Sequence, residues 1–135
     1  FGDTFRMVDW QIVGDVQQNA CGAVQLHSGW ELVSDQPDQD FTLATVAVAP
    51  DNPTDALVQI DAPLGSSLET SQWERGYLYF NSRQIDIPCE AEAGEYALIN
   101  SVYFYREPDA PLLASTDDGN ELGNSTYLTT LFVVE

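Results

Sequence analysis

Two acidic stretches are the residues of this chain best suited to bind a metal ion. DQPDQD places three carboxylates close together, and DDGNE places carboxylates and an amide around a glycine. Oxygen-rich loops of this kind can wrap calcium, although neither has the twelve-residue EF-hand spacing. We favour solvated acidic loops without a cofactor, and keep calcium as the one candidate cofactor. Its candidate ligands are Asp35, Asp38, Asp40, Asp117, Asp118, Asn120 and Glu121.

The residue types that usually carry catalysis are scarce. His27 is the single histidine, and no serine has the G-x-S-x-G surroundings of a nucleophile elbow. The chain has no lysine, which excludes Schiff-base chemistry and the P-loop lysine. One histidine and two distant cysteines do not make an ordinary zinc site. A carboxylate pair like those of glycosidases would arise by chance in so acidic a chain. We therefore predict a protein that is not an enzyme, with no catalytic residues.

The charge balance excludes several partners. The 135 residues include 22 acidic and 4 basic ones, which gives a net charge of −18. Nucleic-acid binding needs a basic surface, and anionic lipid would repel this chain. Adaptation to salty water, where ions screen the self-repulsion, is the favoured explanation of the acidity, and cation binding is the second.

Cys21 and Cys89 either pair or remain two buried free thiols. A bridge would close a separation of 68 residues and would indicate an oxidising compartment. No stretch approaches the roughly 18 apolar residues of a membrane span, so we predict no membrane insertion. A first residue that is not methionine suggests either a processed, exported protein or a trimmed chain. We predict a secreted, extracellular protein, with the periplasm as the alternative location.

Alternation of apolar and polar residues dominates the chain, as in Val8, Trp10 and Ile12. Turn-forming residues separate such segments, and neither a repeat nor a linker is visible. The pattern predicts one all-β domain over residues 1–135, an antiparallel β-sandwich of immunoglobulin-like or jelly-roll-like type. Besides 8–12, the strand candidates are residues 21–26, 30–33, 41–48, 56–60, 77–80, 84–87, 96–105 and 127–134.

Two interruptions of this pattern carry specific predictions. Asn81-Ser82-Arg83 resembles the turn of a hairpin between residues 77–80 and 84–87. After Pro63-Leu64-Gly65, the spacing of Ser66 and Glu69 fits a capping box. One short helix near residues 66–75, with Leu68 and Trp73 facing the same way, is therefore predicted beside a plain loop as the alternative.

Exposed aromatic side chains are candidates for a carbohydrate or protein contact surface. Most aromatic residues of a sandwich belong to its core, so only those on polar strand faces qualify. The candidates are Tyr77, Tyr79, Tyr103 and Tyr105. Asn124-Ser125-Thr126 has the form of an N-glycosylation site, which indicates a surface loop at Asn124.

Four motifs occur in a fixed order along the chain: DWQIV, CGAVQ, APLGSSLE and IDIPCEAEAGE. In this order they resemble the invasion-associated locus B family of exported bacterial β proteins, over Asp9 to Cys89. The chain departs from the family pattern in lacking its additional cysteines and its basic character. The resemblance implies an exported, non-enzymatic protein that takes part in contact with a host or surface.

Two functions remain open at this point. A structural subunit of an extracellular filament, pilus-like or surface assembly would join copies by strand pairing, and its strand-like ends favour it slightly. An exported accessory, adhesion or binding protein is the alternative. The predicted partners are accordingly further copies of the chain, or a cell surface or carbohydrate. A carboxylate-based hydrolase is the third and least favoured hypothesis.

Overall fold

The residues that the structure describes form ten β-strands and one short 3₁₀ turn. The computed structural model describes residues 1–49, 52–65, 68–104, 106, 112, 114–115, 121–123 and 126–134. For residues 52–55, 114–115 and 121–123 it describes the backbone alone. The strands are β1 (Phe5–Val13), β2 (Gln17–Asn19), β3 (Ala23–Leu32), β4 (Phe41–Ala49), β5 (Asn52–Pro63), β6 (Tyr79–Asp86), β7 (Gly94–Phe104), β8 (Ala114–Ser115), β9 (Glu121–Gly123) and β10 (Thr126–Val134).

Two sheets form the layers of a β-sandwich, which confirms the predicted fold class. One sheet has the order β1-β3-β6, and the other has the order β2-β10-β7-β4-β5. All pairings in these two sheets are antiparallel except that of β10 with β2. Strands β8 and β9 form a separate two-stranded ribbon. Both terminal strands pair within the chain, β1 with β3 and β10 with β7 and β2.

The inward side chains of the two sheets form two apolar clusters. One contains the largest rings, and the other contains aliphatic residues. Burial of these side chains away from water is the main stabilising contribution to the sandwich. The first cluster comprises Phe5, Trp30, Leu32, Phe41, Leu43, Leu64, Trp73 and Val102. The second comprises Val24, Leu26, Ala47, Ile85, Leu98, Leu128 and Leu131.

Buried polar residues lie between the two clusters. Thr45 Oγ1 donates to Asn100 Oδ1 at 2.8 Å, across paired strands β4 and β7. On the other sheet, Trp30 Nε1 donates to Ser28 Oγ at 2.7 Å. Among the described residues, every buried side-chain nitrogen and oxygen has a hydrogen-bond partner. The interior therefore accommodates polar groups without leaving their hydrogen bonds unmade.

The prediction of a hairpin turn at Asn81-Ser82-Arg83 is wrong, because β6 runs through these three residues without a break. Asn81 and Arg83 point inward, and Ser82 points outward. Arg83 is 6% exposed, and its guanidinium donates to the carbonyl oxygens of Leu43, Ile60 and Ala62 and to Asn81 Oδ1. These partners, which lie on other strands except for Asn81, allow a charged residue to occupy an inward position of a strand.

The two strands predicted over residues 21–26 and 30–33 are one strand, β3. The interruption suggested by His27-Ser28-Gly29 does not occur, because Ser28 points inward and accepts the hydrogen bond from Trp30. Gly29 occupies an outward position in the middle of the strand. Its pairing with Asp9 of β1 and Phe80 of β6 continues the ladder on both sides.

Where a short helix or a loop was predicted near residues 66–75, the chain makes a single 3₁₀ turn, Thr70–Gln72. Thr70 is tied to the start of β4: its Oγ1 accepts from the Phe41 N–H at 2.9 Å and donates to the Gln39 carbonyl at 3.0 Å. These bonds hold the segment to the end of the sandwich. Ser66, the predicted capping residue, lies outside the described residues.

Cys21 and Cys89 form a disulfide, which is one of the two states that the sequence analysis left open. Cys21 has a positive φ of 71°. Two backbone bonds accompany the bridge: the Cys21 N–H donates to the Ile87 carbonyl at 3.1 Å, and the Ile87 N–H donates to the Gly22 carbonyl at 2.8 Å. The disulfide therefore fixes the start of β3 to the chain that follows β6.

Candidate functional site

The outer face of the three-stranded sheet carries the most promising group of functional side chains. Alternation along β3 turns its even-numbered residues into the core and its odd-numbered residues outward. The register then places outward residues in rows across the three strands. One row is Asp9, Gly29 and Phe80, and the next is Gln11, His27 and Ser82.

A groove of about 160 Å³ opens on this face. The residues around it come from all three strands and from the segment that precedes β6. Apolar side chains form its walls, and polar groups stand at its rim. The lining residues are Val8, Asp9, Trp10, Gln11, His27, Ser28, Gly29, Leu78 and Phe80.

Gly29 is the reason that Leu78 and Phe80 can lie over β3. A Cβ added at Gly29 would stand 3.6 Å from Leu78 Cδ1 and 3.7 Å from Phe80 Cε1. These are ordinary contact distances, so alanine would fit, whereas a longer side chain would displace both residues. The β-bulge between Met7 and Asp9 breaks the alternation of β1 beside this point and leaves Val8 exposed.

The apolar part of the groove is open to solvent. Phe80 is 72% exposed, Leu78 50% and Val8 45%, and Tyr77 beside them is 60% exposed. Single exposed apolar residues are common on proteins, but a contiguous group of them marks a contact surface. Tyr77 was among the predicted contact residues.

Next to the apolar part, two rows of the face contain no carboxylate. They hold Gln11, His27 and Ser82 in one row and Val13, Gln25 and Gln84 in the next. His27 Nε2 lies 3.3 Å from Gln25 Oε1, so the two side chains share a hydrogen bond. Amide, imidazole and hydroxyl groups both donate and accept hydrogen bonds.

The carboxylates of this face accept hydrogen bonds or form an ion pair, and one of them, Asp9, lines the groove. Asp9 Oδ1 accepts from the Trp10 N–H at 2.8 Å. Glu31 pairs with Arg6 at 3.2 Å, and Asp86 accepts from Gln84 at 2.7 Å. The groove therefore combines an exposed apolar wall with one carboxylate, that of Asp9, and lies beside two rows that contain none.

The other predicted contact tyrosines take different roles. Tyr79 stacks on Trp73, with ring centroids 4.3 Å apart, and its hydroxyl accepts from the Glu74 N–H. The Tyr103 hydroxyl donates to Asp61 Oδ2 at 2.9 Å. Tyr105 and the predicted glycosylation residue Asn124 lie outside the described residues.

The predicted calcium ligands are only partly described. Asp35 pairs with Arg75 at 2.6 Å, and Asp40 Oδ1 accepts from the Ser71 N–H at 3.1 Å. Within the described ranges, no three His, Cys, Asp or Glu residues, Asp38 included, come together as a group that could hold a metal ion. Asp117, Asp118, Asn120 and the side chain of Glu121 lie outside the described part of the chain.

A second and larger depression, of about 400 Å³, lies at one end of the sandwich. It is lined by Asp40, Phe41, Thr42, Pro63 and Glu69. It holds two carboxylates, but Asp40 is engaged with the 3₁₀ turn and Phe41 is buried in the core. It offers less exposed apolar surface than the groove at Gly29.

The pKa values of two residues near Asp61 of β5 are perturbed. Burial lowers the pKa of Arg83 to about 10, against the opposing attraction of Asp61. Partial burial raises the pKa of the Tyr103 phenol, and its hydrogen bond to Asp61 raises it further. The Arg83 guanidinium donates hydrogen bonds to backbone carbonyls of β4 and β5. We therefore assign this cluster a structural role, in which it joins the two sheets of the sandwich.

Sequence reasoning missed most of the groove. Val8, Gln11, Gly29, Leu78 and Phe80 carried no motif, and the β-bulge that exposes Val8 leaves no signature in the sequence. The one usable signal was the YLYF segment, in which neighbouring residues are all apolar or aromatic. In a strand with one buried face, such a segment must place apolar side chains in solvent.

No known protein family and no curated protein matches this sequence. Solved structures are similar to it in fold. One is a Niemann-Pick type C2 protein from the Japanese carpenter ant, with a TM-score of 0.56 and 7% identity, covering 99% of this chain and 96% of that one. Another is the C-terminal domain of wzt, with a TM-score of 0.54 and 13% identity, covering 98% and 74%. At these identities the similarity shows the β-sandwich fold alone.

Across the described ranges, the structure contains no helix with the length and apolar character that a membrane crossing requires.

Proposed function

We propose that this chain is a non-enzymatic, exported accessory domain that binds a ligand on the outer face of its three-stranded sheet. The observation that carries this proposal is the exposed group of Val8, Leu78 and Phe80 around Gly29, beside two rows without carboxylates. Concave sites with apolar walls and a few polar groups are the usual form of a binding site.

The groove stands on a rigid support, which favours a binding role. Directly beneath it, Trp30 is fully buried, and its indole N–H is bonded to Ser28. Strand β1 pairs with β3 from Gln25 to Leu32, and β6 pairs with it from Ala23 to Trp30. A site built on paired strands keeps its geometry, so little ordering cost accompanies binding.

The polar groups at the groove support binding over catalysis. His27 shares its hydrogen bond with the Gln25 amide, and Asp9 accepts a backbone N–H. A general base needs an orienting carboxylate or a nucleophile within hydrogen-bond reach. The two titratable groups of the groove are thus bonded to groups that do not activate them.

The disulfide between Cys21 and Cys89 supports export, since such bridges persist in oxidising surroundings. The implied setting is extracellular or periplasmic. It agrees with the surface role that the resemblance to the invasion-associated locus B family implies.

Assembly of copies of the chain by strand pairing is less well supported, because three sheet edges are occupied or interrupted. Arg83 and Asn81 of β6 bond to the backbone of β5 and of the residue that follows it, so these two edges meet. On β1, a bulge and the Asp9–Trp10 bond interrupt the edge. Bulges and charged side chains are common protections against pairing with another chain. The fourth edge, β2, has only three residues.

The test is amide-shift mapping of the disulfide-intact chain with small probe compounds: an alkyl alcohol, a substituted benzene and a polyol. We expect shifts at Val8, Gly29 and Phe80, and a monomer by light scattering at low and at high salt. Probes that collect elsewhere, or that shift nothing, would contradict the binding proposal. A defined oligomer that hides this face would favour the structural subunit.

A further inference from the structure

We infer that the ligand of this face is a neutral saccharide. This inference rests on the proposed function and adds the chemical class of the ligand. It depends on three features of the face: two adjacent rows without carboxylates, an exposed aromatic ring and the spacing of the hydrogen-bonding side chains.

The charge distribution favours a neutral ligand. The chain carries 22 acidic residues, yet the rows Gln11–His27–Ser82 and Val13–Gln25–Gln84 contain none. A ligand with acidic groups would be repelled by the net charge of −18. A basic partner would be matched by a group of carboxylates, whereas a single carboxylate, that of Asp9, lines the groove, and it accepts the Trp10 N–H. A polar ligand without charge is left as the match.

The apolar wall suits one face of a sugar ring. Phe80 stands 72% exposed beside Leu78, over the bare backbone of Gly29. The face of an aromatic ring is electron-rich, and the C–H bonds on one face of a pyranose carry the opposite partial charge. Stacking of this kind needs a flat, accessible ring, and Phe80 provides one.

The adjoining row suits hydroxyl groups. Gln11, His27 and Ser82 are directly opposite one another on neighbouring strands. Their Cβ atoms are therefore separated by about 5 Å per strand, so that successive side chains meet successive groups of a ligand. Each of the three can donate or accept, as can a sugar hydroxyl. The groove is shallow and open, so we expect weak, millimolar-range binding that gains strength with several linked sugars.

The experiment uses the full chain with its disulfide intact and titrates it with neutral, acidic and basic oligosaccharides. The neutral probes are oligomers of β-linked glucose, α-linked glucose and mannose, the acidic probe is an oligogalacturonate, and the basic probe is a glucosamine oligomer. Calorimetry gives the affinities, and amide shifts give the location. We expect at least one neutral probe to bind more tightly than both charged ones and to shift His27, Gly29 and Phe80.

Two variants provide the matched comparison. Phe80→Ala should weaken binding by about ten-fold or more, as expected when a central aromatic contact is lost. Tyr127→Ala removes an aromatic residue that is 60% exposed on the other sheet, and it should leave the affinity unchanged within about two-fold. Both residues are exposed, so circular dichroism should show folded proteins.

The outcomes separate this inference from the proposed function. If the small probes collect in the groove but no neutral oligosaccharide binds there, the saccharide inference is wrong and the binding role stands. The saccharide inference is also wrong, and the binding role stands, if the acidic or basic oligomer binds most tightly. The same conclusion follows if Phe80→Ala binds as well as Tyr127→Ala. If neither small probes nor saccharides bind this face, the saccharide inference and the proposed binding function are both wrong.

Discussion

The guanidinium of Arg83 donates a hydrogen bond of 2.9 Å to the carbonyl oxygen of Ala62, and this bond joins the edge of one sheet to the edge of the other. A second bond, of 2.8 Å, runs to the Ile60 carbonyl. A sandwich of two separate sheets would leave β5 and β6 as open edges. Arg83 instead brings them together on one side, and the groove at Gly29 lies on the outer face of the sheet that β6 completes.

Replacing Arg83 with methionine should lower the free energy of unfolding by about 3 kcal/mol. The loss follows because the carbonyls of Ile60 and Ala62 lose their buried donor, and an unsatisfied buried group costs about 1–3 kcal/mol. Urea unfolding followed by circular dichroism measures the change. Arg75→Met is the control, since its pair with Asp35 is exposed and should contribute less than about 1 kcal/mol. Equal stabilities for the two variants would refute the role of Arg83 in joining β6 to β5.

The Tyr103 phenol should titrate above the ordinary tyrosine pKa of about 10. Partial burial and the bond to Asp61 both favour the protonated phenol, so Asp61→Asn should move its pKa down. Because the folded phenol holds its proton more tightly than the unfolded one, its contribution to stability is complete below pH about 10 and is lost as the pH rises further. Absorbance at alkaline pH, compared with Tyr103→Phe to assign the transition, measures the pKa. An unchanged pKa in Asp61→Asn would contradict this account.

Removing the disulfide with Cys21→Ser and Cys89→Ser together should lower the free energy of unfolding by up to about 4 kcal/mol, because the bridge restricts a long loop of the unfolded chain. The fold should persist, since the bonds between Cys21, Gly22 and Ile87 hold the same two segments together. Urea unfolding gives the difference. Mass spectrometry without reductant gives the matching control, in which the parent chain shows no free thiol.

Salt should stabilise the folded chain. Its net charge of −18 opposes compaction, and the screening length falls from about 30 Å at 0.01 M salt to about 8 Å at 0.15 M. The melting temperature should therefore rise with NaCl and then level off. Calcium chloride and magnesium chloride at equal ionic strength should give the same melting temperature. A further increase with calcium alone would instead support the calcium site predicted from the acidic stretches.

The strands that could be predicted from the sequence are those whose inward residues are apolar. Residues 41–48 and 127–134 fall within β4 and β10 because their buried positions hold Leu43, Ala47, Leu128 and Leu131. Local alternation was sufficient there, since the same residues that create the pattern fill the core. The pairing of Cys21 with Cys89 was likewise open to prediction, because the chain offers no other cysteine.

By itself, the sequence determined the all-β fold class, the option of a disulfide and the net charge of −18. Only the tertiary structure decided that β3 and β6 are continuous, because Ser28, Asn81 and Arg83 are polar residues on inward positions. Such residues are stable there because they find hydrogen-bond partners, Trp30 of the same strand for Ser28 and the carbonyls of Ile60 and Ala62 for Arg83. The groove, too, could be identified only from the tertiary structure. Val8, Gly29 and Phe80 lie far apart in sequence, and the register of β1, β3 and β6 brings them to one face.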